Sequence, residues 1–154
     1  MSSIDEKDIH SFVDAVSVYF HQITGEKAEI KAAYLVEGGV SATTFDLTGY
    51  ISFSGSFSGR VYFSASRAMV SHLLLMMKES NHAEEQLLDA VGEVANTIAG
   101  NARKHFGSAM EISVPVTAVT PDNWLDTVVS PRSYVIMVKW KRYKASVVVD
   151  IRHE

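Results

Sequence analysis

Glu93 and Asn96 are the two polar side chains whose types and spacing favour chemistry on another molecule. They lie three residues apart in a segment, Leu87 to His105, that has the pattern of one amphipathic helix, and residues three apart are neighbours on a helix surface. An asparagine can orient a water molecule because it carries an acceptor and two donors, and a glutamate can pair with a lysine of a docking protein. The pair therefore suits hydrolysis of an already activated bond, such as an acyl phosphate on another protein, where positioning supplies most of the rate.

The helix that must carry this pair has two distinct faces. At about 100° per residue, one arc holds apolar side chains that are predicted to face inward: Leu87, Val91, Val94, Ile98 and Ala102. The opposite side holds Gln86, Asp89, Glu93, Asn96, Gly100 and Arg103. Gly92 and Gly100 each cost a helix about 1 kcal/mol relative to alanine. We therefore expect a partner to approach the helix backbone closely.

The composition narrows the class of protein. The 154 residues, 47% of them hydrophobic with three prolines, predict one folded domain over residues 1–154. A net charge of −4 gives no basic surface for nucleic acid, and no apolar run approaches the roughly 20 residues that span a bilayer. The acidic, polar start predicts no secretory signal, so we expect a cytoplasmic protein. With no cysteine, and no two of the six histidines at His-x-x-x-His spacing, no metal site is predicted.

The order of elements predicts an α/β (α+β) two-layer fold with helices on one face of a largely antiparallel sheet. The expected order is α-β-β-β-α-α-β-β-β. The first helix should run from Asp5 to Gln22, with a Ser3–Glu6 capping box and a stop at Gly25. The third should run from Ala83 to Phe106, capped by Asn81, with a stop at Gly107. The second, from Arg67 to Lys78, should be capped by Ser64 or Ser66. The predicted strands are 28–35, with a turn at Gly38-Gly39, then 50–54, 57–64, 112–116, 134–140 and 144–152.

The stretch Asp89-Ala-Val-Gly-Glu-Val-Ala-Asn-Thr-Ile-Ala-Gly-Asn101 resembles the signature of the CheC/CheX/FliY chemotaxis phosphatases. Their motif is a Glu-x-x-Asn on a long exposed helix, followed by a small residue and glycine, as at Ala99-Gly100 here. The motif occurs once in this chain, which favours the CheX type, since CheC and FliY proteins carry it twice. The order of elements and the hairpin before the second helix extend the resemblance over most of the chain.

The resemblance implies dephosphorylation of a phospho-aspartyl response regulator of the CheY type. Asn96 would orient the attacking water in line with the phosphoryl group, and Glu93 would pair with the regulator's active-site lysine. Asp89, Gly92 and Gly100 would be candidates for the contact surface. No cofactor of the chain's own is implied, because the Mg²⁺ of the reaction belongs to the regulator's acidic pocket.

The resemblance also implies a homodimer in which two sheets join. An edge strand near the C-terminus, such as Tyr134 to Trp140, would serve by β-pairing. Two other functions stay open on the residues alone. One is a non-catalytic relative that binds a receiver domain through the same helix, and the other is a structural or assembly module that uses its sheet edge.

Overall fold

The computed structural model describes residues 5–36 and 42–153, with only the backbone of residue 153. Within these ranges the chain forms three α-helices, a short 3₁₀ helix and one seven-stranded sheet. The helices are α1 (Glu6–Thr24), α2 (Arg67–Met76) and α3 (Glu84–Phe106), and the 3₁₀ helix is Trp124–Thr127. The strands are β1 (Glu29–Leu35), β2 (Leu47–Gly55), β3 (Phe57–Ala65), β4 (Met110–Ile112), β5 (Val116–Val119), β6 (Tyr134–Trp140) and β7 (Tyr143–His153).

The sheet is antiparallel throughout, with strand order β1-β6-β7-β3-β2-β4 and with β5 also paired to β2. The predicted hairpin is confirmed as β2 and β3. Its predicted inward-facing residues are all buried: Ile51, Phe53, Phe57, Val61 and Phe63. The single strand predicted over 112–116 is instead two strands, β4 and β5. Pro115 lies between them, and a proline has no N–H to donate to a strand ladder.

The strand Tyr134–Trp140 is not an edge strand, so the prediction that it joins two sheets is wrong. This strand, β6, is hydrogen-bonded to β1 on one side and to β7 on the other, which leaves no free edge for another chain. The described part of the sheet ends instead at β1 and at the β4–β5 side. The pairing of β1 with β6 is non-local, and no local pattern in either strand indicates it.

The helix ends follow their capping chemistry. α1 begins with a capping box formed by Asp5 and Asp8, rather than by the predicted Ser3 and Glu6. Ser3 and the predicted Gly38-Gly39 turn lie outside the described residues. Ser66 caps α2, and Gly25 ends α1 in the left-handed conformation, as predicted.

α3 begins without a side-chain cap, and Asn81 is not its N-cap as predicted. The N-cap is Ala83, and the Asn81 side chain accepts a hydrogen bond from the Ala83 N–H at 3.0 Å. Asn81 therefore closes the turn before the helix rather than the helix itself. Gly107 ends α3 as predicted, with its N–H bonded to the Arg103 carbonyl.

α1 and α3 pack side by side in opposite directions, on one face of the sheet. At one end the His105 ring lies 2.8 Å from the Asp8 carboxylate, and the rings of Phe12 and Phe106 are in contact. The core between helices and sheet contains the largest fully buried side chains. These include Phe12, Phe20, Phe63, Met69, Leu73, Ile98 and Trp140. This packing anchors α3 along its length.

Candidate functional site

The candidate site is the outward side of α3, which we call the motif ridge: Asp89, Glu93, Asn96 and Gly100. Asp89 and Glu93 are exposed, while Asn96 and Gly100 are half-buried. All five side chains that the sequence assigns to the inward face of this helix are buried, so that prediction is confirmed. Glu93 and Asn96 therefore share one side of a helix whose opposite side is fixed in the core.

Within the described residues neither the Glu93 carboxylate nor the Asn96 carboxamide makes a hydrogen bond or an ion pair. The hydrogen bond made at Glu93 involves its backbone, since the Thr97 hydroxyl donates to the Glu93 carbonyl at 2.8 Å. Because the described part of the chain leaves both groups unpaired, they are available to an external partner.

Glycine residues at the contact between β2 and α3 let the two backbones approach closely. A Cβ added to Gly49 on β2 would stand 2.7 Å from the Val91 carbonyl oxygen and 3.0 Å from the Gly92 Cα. Real Cβ atoms essentially never approach backbone atoms this closely. The height of the motif ridge above the sheet is thus set by a glycine contact between β2 and α3.

The two glycines inside α3 have different roles. Gly92 is buried, and a Cβ there would lie 2.8 Å from Thr117 Cγ2 and 3.2 Å from Pro115 Cβ. The close neighbour of Gly92 is therefore the chain's own sheet, which accounts for a glycine at this position without a partner. A Cβ on Gly100 would meet no atom of the described chain within 4 Å. No internal packing explains Gly100, and it remains a candidate contact residue on the motif ridge.

The site also borders a groove that the sequence did not indicate. It has a volume of about 370 Å³ and lies where α1, α3 and the chain after α2 meet, with Glu93 and Asp89 on its α3 side. Tyr19 and Ile23 of α1 and Glu79 also line it. No signal in the sequence links these residues, because they come from three separate segments.

The described ranges contain neither a cluster of metal ligands nor a membrane-spanning helix. Among residues 5–36 and 42–153, no three histidine, aspartate or glutamate side chains converge closely enough to hold a metal ion. The same part of the chain has no helix that combines the length and apolarity needed to cross a membrane.

Three solved structures define the class of fold. CheX from Vibrio vulnificus is 13% identical, with a TM-score of 0.77, over 95% of this chain and 99% of that one. A CheC-like superfamily protein from Shewanella sp. PV-4 is 14% identical, with a TM-score of 0.78, over 97% of this chain and 99% of that one. A CheX–CheY–BeF₃–Mg²⁺ complex from Borrelia burgdorferi matches at 18% identity, with a TM-score of 0.72, over 94% and 97%. The chain therefore has the CheX/CheC-like fold.

The family follows from the sequence match. The family model described as chemotaxis phosphatase CheX matches residues 47–138, which is more than half of the chain and includes all of α3. The chain belongs to this family. No curated protein matches the chain.

Proposed function

We propose that this chain dephosphorylates a CheY-like response regulator by hydrolysing its aspartyl phosphate. One observation carries the proposal: the side chains of Glu93 and Asn96 have no partner among residues 5–36 and 42–153, and they lie on the outward side of a helix whose other side is buried. Membership of the chemotaxis phosphatase CheX family and the similarity to a CheX solved with CheY support it. The proposed substrate also favours the cytoplasm as the site of action.

In the proposed mechanism Asn96 orients the attacking water. Its carbonyl accepts a hydrogen bond from the water, which holds the water oxygen in line with the bond between phosphorus and the aspartyl oxygen. The new P–O bond forms as that bond breaks, giving a free carboxylate and inorganic phosphate, which retains the protons of the water. Glu93 pairs with the regulator's active-site lysine and so fixes how the regulator is positioned on α3. It lies about 4.5 Å from Asn96 along the helix axis, at about 1.5 Å per residue.

In this mechanism we assign the metal to the regulator and not to the chain. Its described residues hold no converging set of metal ligands, and the related complex from Borrelia burgdorferi was solved with CheY and Mg²⁺ together. We assign the Mg²⁺ to the regulator's acidic pocket, where it would neutralise charge on the phosphoryl group.

Phosphate release separates a phosphatase from a binding module. Each phosphorylated receiver domain of the same genome is mixed with the chain at catalytic concentration, and inorganic phosphate is followed with time. Acceleration above the receiver's own decay, lost in Asn96→Ala, supports the proposal. Tight binding without acceleration would instead identify a receiver-binding adaptor, and absence of binding to every receiver would identify an assembly module.

Gly100→Ala is expected to stabilise the chain while weakening docking. Removing a helix glycine with free space around it should raise the free energy of unfolding by about 1 kcal/mol, but the methyl group fills a gap on the motif ridge. We expect a higher midpoint in urea and a higher KM for the phosphorylated receiver. Gly92→Ala is the matched control, since its methyl group meets Thr117 and should lower the midpoint. An unchanged KM in Gly100→Ala would remove Gly100 from the contact surface.

We further propose that the chain is a homodimer and that β5 is the joining edge. Val114, Val116 and Val119 are 79%, 45% and 52% exposed at this edge, and exposed apolar strand edges favour pairing with another chain. The opposite edge, β1, is less suited because it has a bulge between Ile30 and Ala32, and bulges protect edges.

A charge at the β5 edge tests the dimer. Val116→Lys with Val119→Lys should halve the molecular mass measured by light scattering, because two facing edges would each carry lysines. Ala33→Lys on β1 is the control and should leave the mass unchanged. A mass that falls only in the β1 variant would move the interface to the other edge.

A further inference from the structure

The groove beside Glu93 has an apolar floor. Tyr19 and Leu74 are 4% and 6% exposed and form part of its base, while Met77 at the end of α2 is 37% exposed at its side. Methionine is flexible and adapts to the shape of whatever packs on it. The floor therefore suits an aliphatic chain.

The rim of the same groove is acidic. Glu79, Asp89 and Glu93 contribute three carboxylates, and no lysine, arginine or histidine of the described chain lines the groove. None of the three carboxylates forms an ion pair within the described residues. They are also not close enough together to hold a metal ion. An apolar floor with unpaired carboxylates above it is complementary to a lysine or arginine, which buries its methylene stem and keeps its charge at the surface.

We propose that this groove binds a second basic side chain of the regulator, a lysine or arginine beside the phosphorylation pocket. The inference rests on the proposed function, in which Glu93 binds the active-site lysine. Asp89 lies one turn before Glu93, about 6 Å along the helix axis. The second cation would therefore sit within one helical turn of the first, and the regulator would be held at two points. A regulator without a basic residue at that position would be a poorer substrate.

Tyr19 adds a neutral acceptor to the groove. Burial raises the pKa of its hydroxyl to about 12, and the negative charge of Glu93 contributes to the increase. Tyr19 thus stays protonated near neutral pH, and its oxygen can accept a hydrogen bond from the bound cation without adding charge.

Steady-state phosphatase kinetics test the groove. Asp89→Asn and Glu79→Gln should each raise KM about threefold, and together about tenfold, as expected for rim-exposed ion pairs. We expect kcat to stay within about twofold, because the proposed mechanism assigns neither side chain a role at the phosphoryl group. KM should depend less on salt in the double variant. Glu85→Gln is the matched control, since Glu85 is exposed on the same helix but does not line the groove.

Alanine substitutions in the regulator identify the basic side chain that occupies the groove. Basic residues around its phosphorylation pocket are replaced by alanine one at a time. One of these alanine substitutions should raise the KM measured with the wild-type chain but have little further effect on the KM of the double variant. Such non-additivity is the signature of direct coupling between the substituted regulator residue and the groove carboxylates.

The two proposals can fail separately. If the wild-type chain hydrolyses the phosphorylated receiver and Asn96→Ala does not, but KM and its salt dependence are the same in the double variant, the groove inference is overturned while the phosphatase stands. The inference also fails if the double variant changes the oligomeric state instead of KM. No turnover by the wild-type chain with any receiver would overturn the proposed function first.

Discussion

Asn96→Ala is expected to lower kcat for the phosphorylated receiver about 100-fold, the size of effect seen when one positioned hydrogen-bonding group is removed from an active site. The affinity for the receiver should change little, because docking is assigned to the other residues of the motif ridge, Asp89, Glu93 and Gly100. Asn96 is only half-buried and its side chain bonds nothing within the described chain. Its truncation should therefore leave the free energy of unfolding almost unchanged, and lost activity cannot be attributed to unfolding.

Glu93→Ala is the matched comparison on the same helix. Removing one partner of a docking charge pair should raise KM and the dissociation constant about tenfold, with a smaller effect on kcat. Single-turnover measurements with excess chain separate binding from the chemical step. If both variants lowered kcat equally with unchanged KM, the docking role of Glu93 would be wrong. If Asn96→Ala weakened binding in proportion to rate, the water-positioning role would be wrong.

The sequence predicts the orientation of the site well because a helix has a fixed period. Once Leu87 and Ile98 are assigned to the core, 100° per residue places Glu93 and Asn96 outward with no knowledge of the rest of the fold. The hairpin of β2 and β3 is also local, with alternation on both sides of a short turn. Each of these predictions depends on residues that are close together in the chain.

The features that the sequence does not predict are contacts between distant segments. The edge position of Tyr134–Trp140 depended on where β1 pairs, and β1 is about a hundred residues away in the chain. Gly92 has the same residue type and helix as Gly100, yet one packs on Thr117 and the other on nothing. The acidic groove joins Tyr19, Glu79 and Asp89 from three segments. Periodicity describes which way a side chain points, but not what it meets there.

Gly49→Ala is expected to destabilise the fold more than Gly92→Ala does. The added Cβ would lie 2.7 Å from the Val91 carbonyl oxygen and 3.0 Å from two backbone atoms of Gly92, and backbone atoms cannot rotate away as a side chain can. Gly49 does not have a positive φ, so the cost comes from contact with α3 and not from backbone strain in β2. Overpacking of this kind should lower the free energy of unfolding by about 1–3 kcal/mol, measured in urea.

The Gly49→Ala result separates support of α3 from chemistry on it. Glu93 and Asn96 belong to one helix and move together, so the folded fraction should keep its kcat while total activity falls with temperature sooner than in the wild type. Gly92→Ala is the control, because the added methyl group meets a side chain there, whereas at Gly49 it meets backbone. Its methyl group meets the side chain of Thr117, so Thr117→Ser should recover part of its lost stability by positive coupling. The same Thr117→Ser change should not restore the stability of Gly49→Ala. If it restored the stability of both variants, the close contact of Gly49 with the backbone of α3 would not be the cause of the loss.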